Sequence, residues 1–303
     1  MIDYVIILFA VVCFAGQFAF TKLYEGEVGQ TATGSLCMLM GSSLVGVLLF
    51  LCLSGFRVTL TPISLLYAAL LALVMIPYYM IGIRVLSLGS LAIYSMFMML
   101  GGMLVPFFYG ILFLDEGVSI GKLLGTVLLC VFIVLQAIWQ KPEDARQVNG
   151  KAGKYLFFLL CLLIFFINGL TGVIAKAHSI SDGAVDEMSF TVLSCALTAL
   201  FGLLMLLFPL FKNKAETLCA MRIAFRGKPL IITVLLGAAA YGGSFLQLLA
   251  AGNVPASVQF PLVSGGVIVL SALVSAFCLC EKLSKKEWIS TLGAFAATFL
   301  FAF

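Results

Sequence analysis

The chain has 303 residues, of which 63% are hydrophobic and only 10% charged, and its mean hydropathy is +1.21. A soluble domain carries about 45–50% apolar and about 25% charged residues, so the composition excludes a water-soluble globule, and no polar segment is long enough to build a separate core. The net charge of +4 says little by itself; where the charges sit says more.

Taken in order, ten segments have the length and apolarity of bilayer spans: 4–23, 34–53, 63–83, 88–114, 120–139, 154–176, 188–211, 230–251, 257–280 and 288–303. Each must be helical, because lipid offers the backbone no hydrogen-bond partners. Asp3 stands where a signal peptide would be basic, and the first apolar run is long enough to remain as a span. Most of the nine cysteines, such as Cys13, Cys37, Cys52, Cys130, Cys161 and Cys278, lie inside apolar runs. There they act as small hydrophobes and not as a disulfide framework. With one histidine in the chain, no metal site and no cofactor are expected.

The polar connector 140–153, QKPEDARQVNGKAG, divides the chain into residues 1–139 and 154–303, five spans each. A shift of 165 residues brings Gly101 onto Gly266, Leu114 onto Leu279, Glu116 onto Glu281, Ser119 onto Ser284 and Thr126 onto Thr291 without a gap. Five is odd, so the second half would enter the membrane from the opposite side. The expected fold is therefore all-α and membrane-integral: ten transmembrane helices as two inverted five-helix repeats, a plan whose solute site lies near the midplane between the halves. With both termini outside, fourteen of the 17 Lys and Arg fall on the cytoplasmic side, leaving Arg57, Lys122 and Lys176 outside. The positive-inside rule favours that orientation in the plasma (inner) membrane.

Several short patterns then line up. Pro255-Ala256-Ser257, Pro261, Glu281 and Gly293 follow one another in the second half, and Ala92, Gly101, Glu116 and Gly125 in the first. Near the start, Gly16-Gln17-Phe18 precedes Lys22. In these features the chain resembles the drug/metabolite transporter superfamily, of the EamA-like ten-helix kind, over essentially its whole length. The first half departs from the pattern in having Met96 where the second has Pro261. The resemblance implies export or exchange of small metabolites, amino acids or drugs. It also implies a cavity between the halves, lined by the first, third, fourth, sixth, eighth and ninth spans.

The candidate solute-binding residues are polar groups within spans, where an unpartnered polar atom is costly. Gln17, Asn168, Gln247 and Gln259 carry carboxamides that donate and accept; the competing reading is an interhelical bond that only holds the bundle together. Tyr78, Tyr79, Tyr94 and Tyr241 can stack on a solute or simply pack, with one partnered hydroxyl. Ser264 belongs to a polar stripe with Ser257, Pro261, Ser271 and Ser275 at helical spacing. Met96, Met99 and Met103 share a face that would suit an apolar cargo or fill an irregular core. Gly101-Gly102 and Gly265-Gly266 read as close helix crossings. Glu116 and Glu281 read as caps on the helices that follow them, residues 212–228 as a basic anchor loop, and His178 as a loop residue without a role.

No cluster of histidine, cysteine and carboxylate, and no phosphate-cradling glycine loop, points to catalysis. The expectation is a carrier, not an enzyme, working by alternating access; the alternatives are a membrane-embedded enzyme of lipid metabolism or a channel. The partners expected are a small-molecule solute and the lipid bilayer, with no nucleic acid, and a monomer suffices for this plan. Because no acid falls in mid-span, the expected drive is the gradient of the cargo itself, with Glu116→Gln and Glu281→Gln tolerated apart from losses in folding.

Overall fold

A computed structural model describes residues 2–114, 119–139, 151–251, 254 and 256–302. All regular structure among them is helical. The α-helices are α1 (Ile2–Val28), α2 (Ala32–Leu53), α3 (Pro62–Leu88), α4 (Leu91–Phe113), α5 (Ile120–Trp139), α6 (Lys151–Ser179), α7 (Glu187–Lys212), α8 (Lys214–Ala224), α9 (Lys228–Ala251), α10 (Ala256–Leu273) and α11 (Lys285–Thr298). A π-helical turn, Val274–Cys278, extends α10. Seven helices, α1 to α4, α6, α7 and α9, are long and apolar enough to cross a membrane; α5 and α10 carry shorter apolar stretches. This is the make-up of a multi-pass membrane protein. The outer faces agree, with Leu112, Phe211 and Phe277 each at least 70% exposed.

Local chemistry sets the boundaries. Thr31, Thr61, Ser90, Asp186 and Ser284 cap α2, α3, α4, α7 and α11, each side chain accepting from a backbone N–H three residues on. Such a cap is worth about 1 kcal/mol. Gly29, at φ 77°, ends α1 in the left-handed conformation that glycine adopts at little cost.

Three sequence expectations need correction. Residues 214–224 form helix α8 and not a basic loop; at 11 residues, about 16 Å long, it is too short to span and carries Lys214, Glu216 and Arg222. The helix α6 starts at Lys151, inside the polar connector; residues 140–150 of that connector lie outside the described residues. His178 sits in the last turn of α6 and is 2% exposed, not in a loop.

Helix α1 packs along α9 and α10, α2 along α7 and α9, α3 along α6 and α7, α4 along α6 and α10, and α5 along α11. The main core, with Phe18, Leu86, Tyr94, Phe97, Met98, Phe157 and Ile268, lies where α1, α3, α4, α6 and α10 meet. Met96 and Met103 are buried in it and line neither cavity described below. The glycine pairs are contact points. A Cβ on Gly101 would stand 2.1 Å from the Phe165 carbonyl oxygen, and one on Gly266 would stand 3.0 Å from Val11. At Gly101, then, α4 and α6 touch backbone to backbone.

Candidate functional site

Four of the predicted residues converge. Gln17 of α1, Tyr78 and Tyr79 of α3 and Tyr94 of α4 line one small cavity with Thr21, Met38, Gly82 and Leu236. Its free volume is about 10 Å³, room for a single water and no more. The tyrosines are held in place. The Tyr79 hydroxyl lies 2.9 Å from Ser42 Oγ, whose own proton goes to the Met38 carbonyl at 2.8 Å. The Tyr94 ring meets Phe18 edge-on at 5.5 Å.

A second cavity of about 300 Å³ reaches the size of a small-solute site. Leu71 and Met75 of α3, Ala175, His178 and Ser179 of α6, Glu187, Phe190, Thr191, Ser194, Cys195 and Thr198 of α7, and Tyr241 of α9 line it. Of the predicted residues only Tyr241 belongs to this wall; its ring lies against Gly46 and edge-on to Phe50 at 6.5 Å. The others line neither cavity. Asn168 Nδ2 donates to the Met98 carbonyl at 2.6 Å, joining α6 to α4, and Gln259 Nε2 donates to the backbone carbonyl of Gln247 at 2.5 Å, joining α10 to α9. Ser264 is buried. The side chains of Ser257 and Pro261 lie outside the described residues, as does Glu116.

The polar face of α7 was overlooked in the sequence, although its signal is there: Thr191, Ser194, Cys195 and Thr198 recur at i, i+3, i+4 and i+7, one face of a helix. His178 lines the same cavity. It stacks flat on Phe190 with ring centres 3.8 Å apart, and its Nε2 lies 2.9 Å from Ser64 Oγ. Ser64 Oγ also accepts from Val185 N at 3.1 Å and from Thr61 Oγ1 at 2.8 Å. With both lone pairs taken, the single Ser64 proton goes to Nε2, which leaves His178 neutral with its proton on Nδ1. Burial pushes the carboxyl of Asp186, next to Glu187 in the chain, upward, but the hydrogen bonds it accepts from Ser189 and Thr59 outweigh this and hold it below the usual range.

The far end of the bundle is built differently. Lys22 of α1 and Glu281, just beyond α10, form a buried ion pair at 3.4 Å, with side chains only 10% and 8% exposed. Lys22 Nζ also donates to the carbonyls of Leu86 and Gly89, the latter at 3.0 Å. Glu281 Oε2 accepts from Leu91 N at 2.9 Å and from Ser275 Oγ. The cation therefore sits on the C-terminal end of α3 and the anion on the N-terminal end of α4, where each helix dipole favours it. The π-turn Val274–Cys278 and the left-handed Cys280, at φ 53°, fold the chain back so that Glu281 points inward. Strain of this kind marks sites that their surroundings hold in place.

This overturns the reading of Glu281 as a cap on the following helix. The N-terminus of α11 is satisfied by its own capping box, Ser284 with Glu287, and Glu281 caps α4 across the molecule instead. Lys22, counted in the sequence among the cytoplasmic-side charges and standing after Gly16-Gln17-Phe18, is 9% exposed.

No family model and no curated protein matches the chain. Among solved structures it is similar to one described only as the crystal structure of a protein. That match covers 98% of this chain and 94% of the other at a TM-score of 0.55 and 14% identity. A likeness at that identity shows a shared fold and nothing about function.

Proposed function

We propose that the protein is a multi-pass carrier that moves a small organic solute by alternating access, a member of the drug/metabolite transporter superfamily of the EamA-like kind. The observation that carries this reading is an asymmetry along α3. Near its start, Ser64 meets His178 beside the larger cavity; near its end, Leu86 meets Lys22 under the ion pair. These points are 22 residues apart, about 33 Å along a helix, roughly the thickness of the hydrocarbon core. One end thus holds a solute-sized space between the two halves of the chain, and the other is closed by charges from both.

The packing supports a repeat. Exchanging α1 with α6, α2 with α7, α3 with α9, α4 with α10 and α5 with α11 turns the α1–α9 contact into α6–α3, α1–α10 into α6–α4 and α2–α9 into α7–α3, while α2–α7, α4–α10 and α5–α11 map onto themselves. All of these contacts are present. An inverted repeat of five spans each, with α8 as an addition outside it, has this contact pattern, and it is the usual build of such carriers. The positive-inside count puts the ion pair at the cytoplasmic end and the larger cavity toward the outside. A cargo gradient supplies the drive.

The test is counterflow in proteoliposomes preloaded with a panel of amino acids, amines, organic acids and nucleosides, at equal pH on both sides. Preloading with some members should accelerate uptake of the same labelled compound. Folded, reconstituted protein that accelerates none of them would refute the carrier reading.

A further inference from the structure

We infer that the larger cavity selects solutes bearing a protonated amine, through the hydroxyl face of α7 and Glu187; this deepens the carrier reading and rests on it. The Ser and Thr hydroxyls of the wall offer a guest acceptors only. Thr191 Oγ1 donates to the Glu187 carbonyl at 2.7 Å, Ser194 Oγ to the Phe190 carbonyl at 2.7 Å, Thr198 Oγ1 to the Ser194 carbonyl at 2.6 Å and Ser179 Oγ to the Lys176 carbonyl at 2.8 Å. Each hydroxyl has one proton, and in all four it is spent on the backbone. Toward the cavity they present lone pairs, so they accept and do not donate.

The charge points the same way. Glu187, exposed in the first turn of α7, is the one carboxylate among the described residues of the wall, and no Lys or Arg is among them. Lys176 stands on α6 but does not line the cavity. The N-terminus of α7, which would otherwise attract an anion, is already capped by the Asp186 carboxylate on Ser189 N at 3.0 Å. The rest of the wall is Leu71, Met75, Ala175, Phe190, Cys195, Tyr241 and the neutral His178, whose Nδ1–H is uncharged; most of these are apolar, aromatic or polarisable groups that favour a cation carried on an apolar body. Acceptors, one anion, aromatic faces and a volume of about 300 Å³ together describe a receptor for an ammonium group on a small aromatic or aliphatic frame.

Three probes share one frame and differ only at the end group: tyramine (cation), tyrosol (neutral) and 4-hydroxyphenylacetate (anion). Titrated at pH 7.5 against the purified full-length protein, tyramine should bind about tenfold tighter than the acid. Glu187→Gln should weaken tyramine about three- to fivefold, the scale of one exposed charge, and leave tyrosol unchanged. Thr198→Val, which removes one acceptor without touching a charge, should weaken tyramine in a protein whose elution profile and melting curve match wild type. Acid binding as tight as amine binding, loss of tyrosol together with tyramine in Glu187→Gln, or binding of none of the three would overturn the proposal. Counterflow separates it from the carrier reading. Amine-selective binding without counterflow leaves the site standing and removes the carrier, whereas counterflow of acids without amine preference does the reverse.

Discussion

Glu281→Gln removes the anion from the buried pair and leaves Lys22 with two carbonyls. At 3.4 Å and an effective dielectric of about 20, the direct attraction is about 5 kcal/mol. Both side chains retain slight exposure, and the Leu86 and Gly89 carbonyls still receive the ammonium. The expected cost is therefore about 3 kcal/mol, the lower end for a broken buried pair. In a carrier that cost falls on the conformation in which this end is closed, so its population relative to the open form should drop about a hundredfold. Spin labels at Gly26, where a side chain meets no neighbour within 4 Å, and at the exposed Lys282 would report it as a longer distance in a cysteine-free background. Lys22→Met combined with Glu281→Gln, a neutral pair of similar volume, should restore most of the closed population. An unchanged distance distribution and melting temperature in Glu281→Gln would refute the electrostatic argument. So would a double variant no better than the single one.

Gly101→Ala should lower the melting temperature markedly, with a loss of about 1–3 kcal/mol, because its Cβ would meet the Phe165 carbonyl oxygen at 2.1 Å; Gly26→Ala, facing open space, should not. Tyr79→Phe and Ser42→Ala should each cost about 1 kcal/mol and the double variant less than their sum, since both lose the same 2.9 Å bond; additive losses in a thermal-melt cycle would exclude the contact. The depressed Asp186 carboxyl contributes stability that is present above the ordinary carboxylate range and lost as pH falls through its lower folded value. Wild type should therefore melt above Asp186→Asn at pH 6, and the gap should begin to close as pH falls below about 3.9 and vanish only below the lower folded value. A gap that stays constant down to acid pH would contradict that assignment.

The helices were largely legible because bilayer length and apolarity are local signals, read within a few residues, whereas the caps Thr31, Thr61, Ser90 and Ser284 were not used to set their ends. Amphipathic α8 was hidden by its charges, which read as loop when only spans are sought. At the site, Gln17, Tyr78, Tyr79 and Tyr94 could be grouped in advance because each is a costly polar group in an apolar run. The α7 face escaped notice because Ser and Thr satisfy themselves on their own helix and so raise no alarm in hydrocarbon. The pairing of Lys22 with Glu281 escaped for another reason: they lie 259 positions apart, and nothing local in either stretch points to the other. Only the turn between α3 and α4, which receives both, makes them a pair.

The contact at Gly101 bears on how the proposed carrier can be divided into moving parts. Side chains that interdigitate can exchange rotamers and let one helix slide past another, but a backbone resting on a backbone has nothing to rearrange. Helix α4 comes from the first half of the chain and α6 from the second, so under the proposed inverted repeat the two helices that stay together belong to different repeats. A pair of labels on α4 and α6 should accordingly keep one separation in every state, while labels at Gly26 and Lys282 do not.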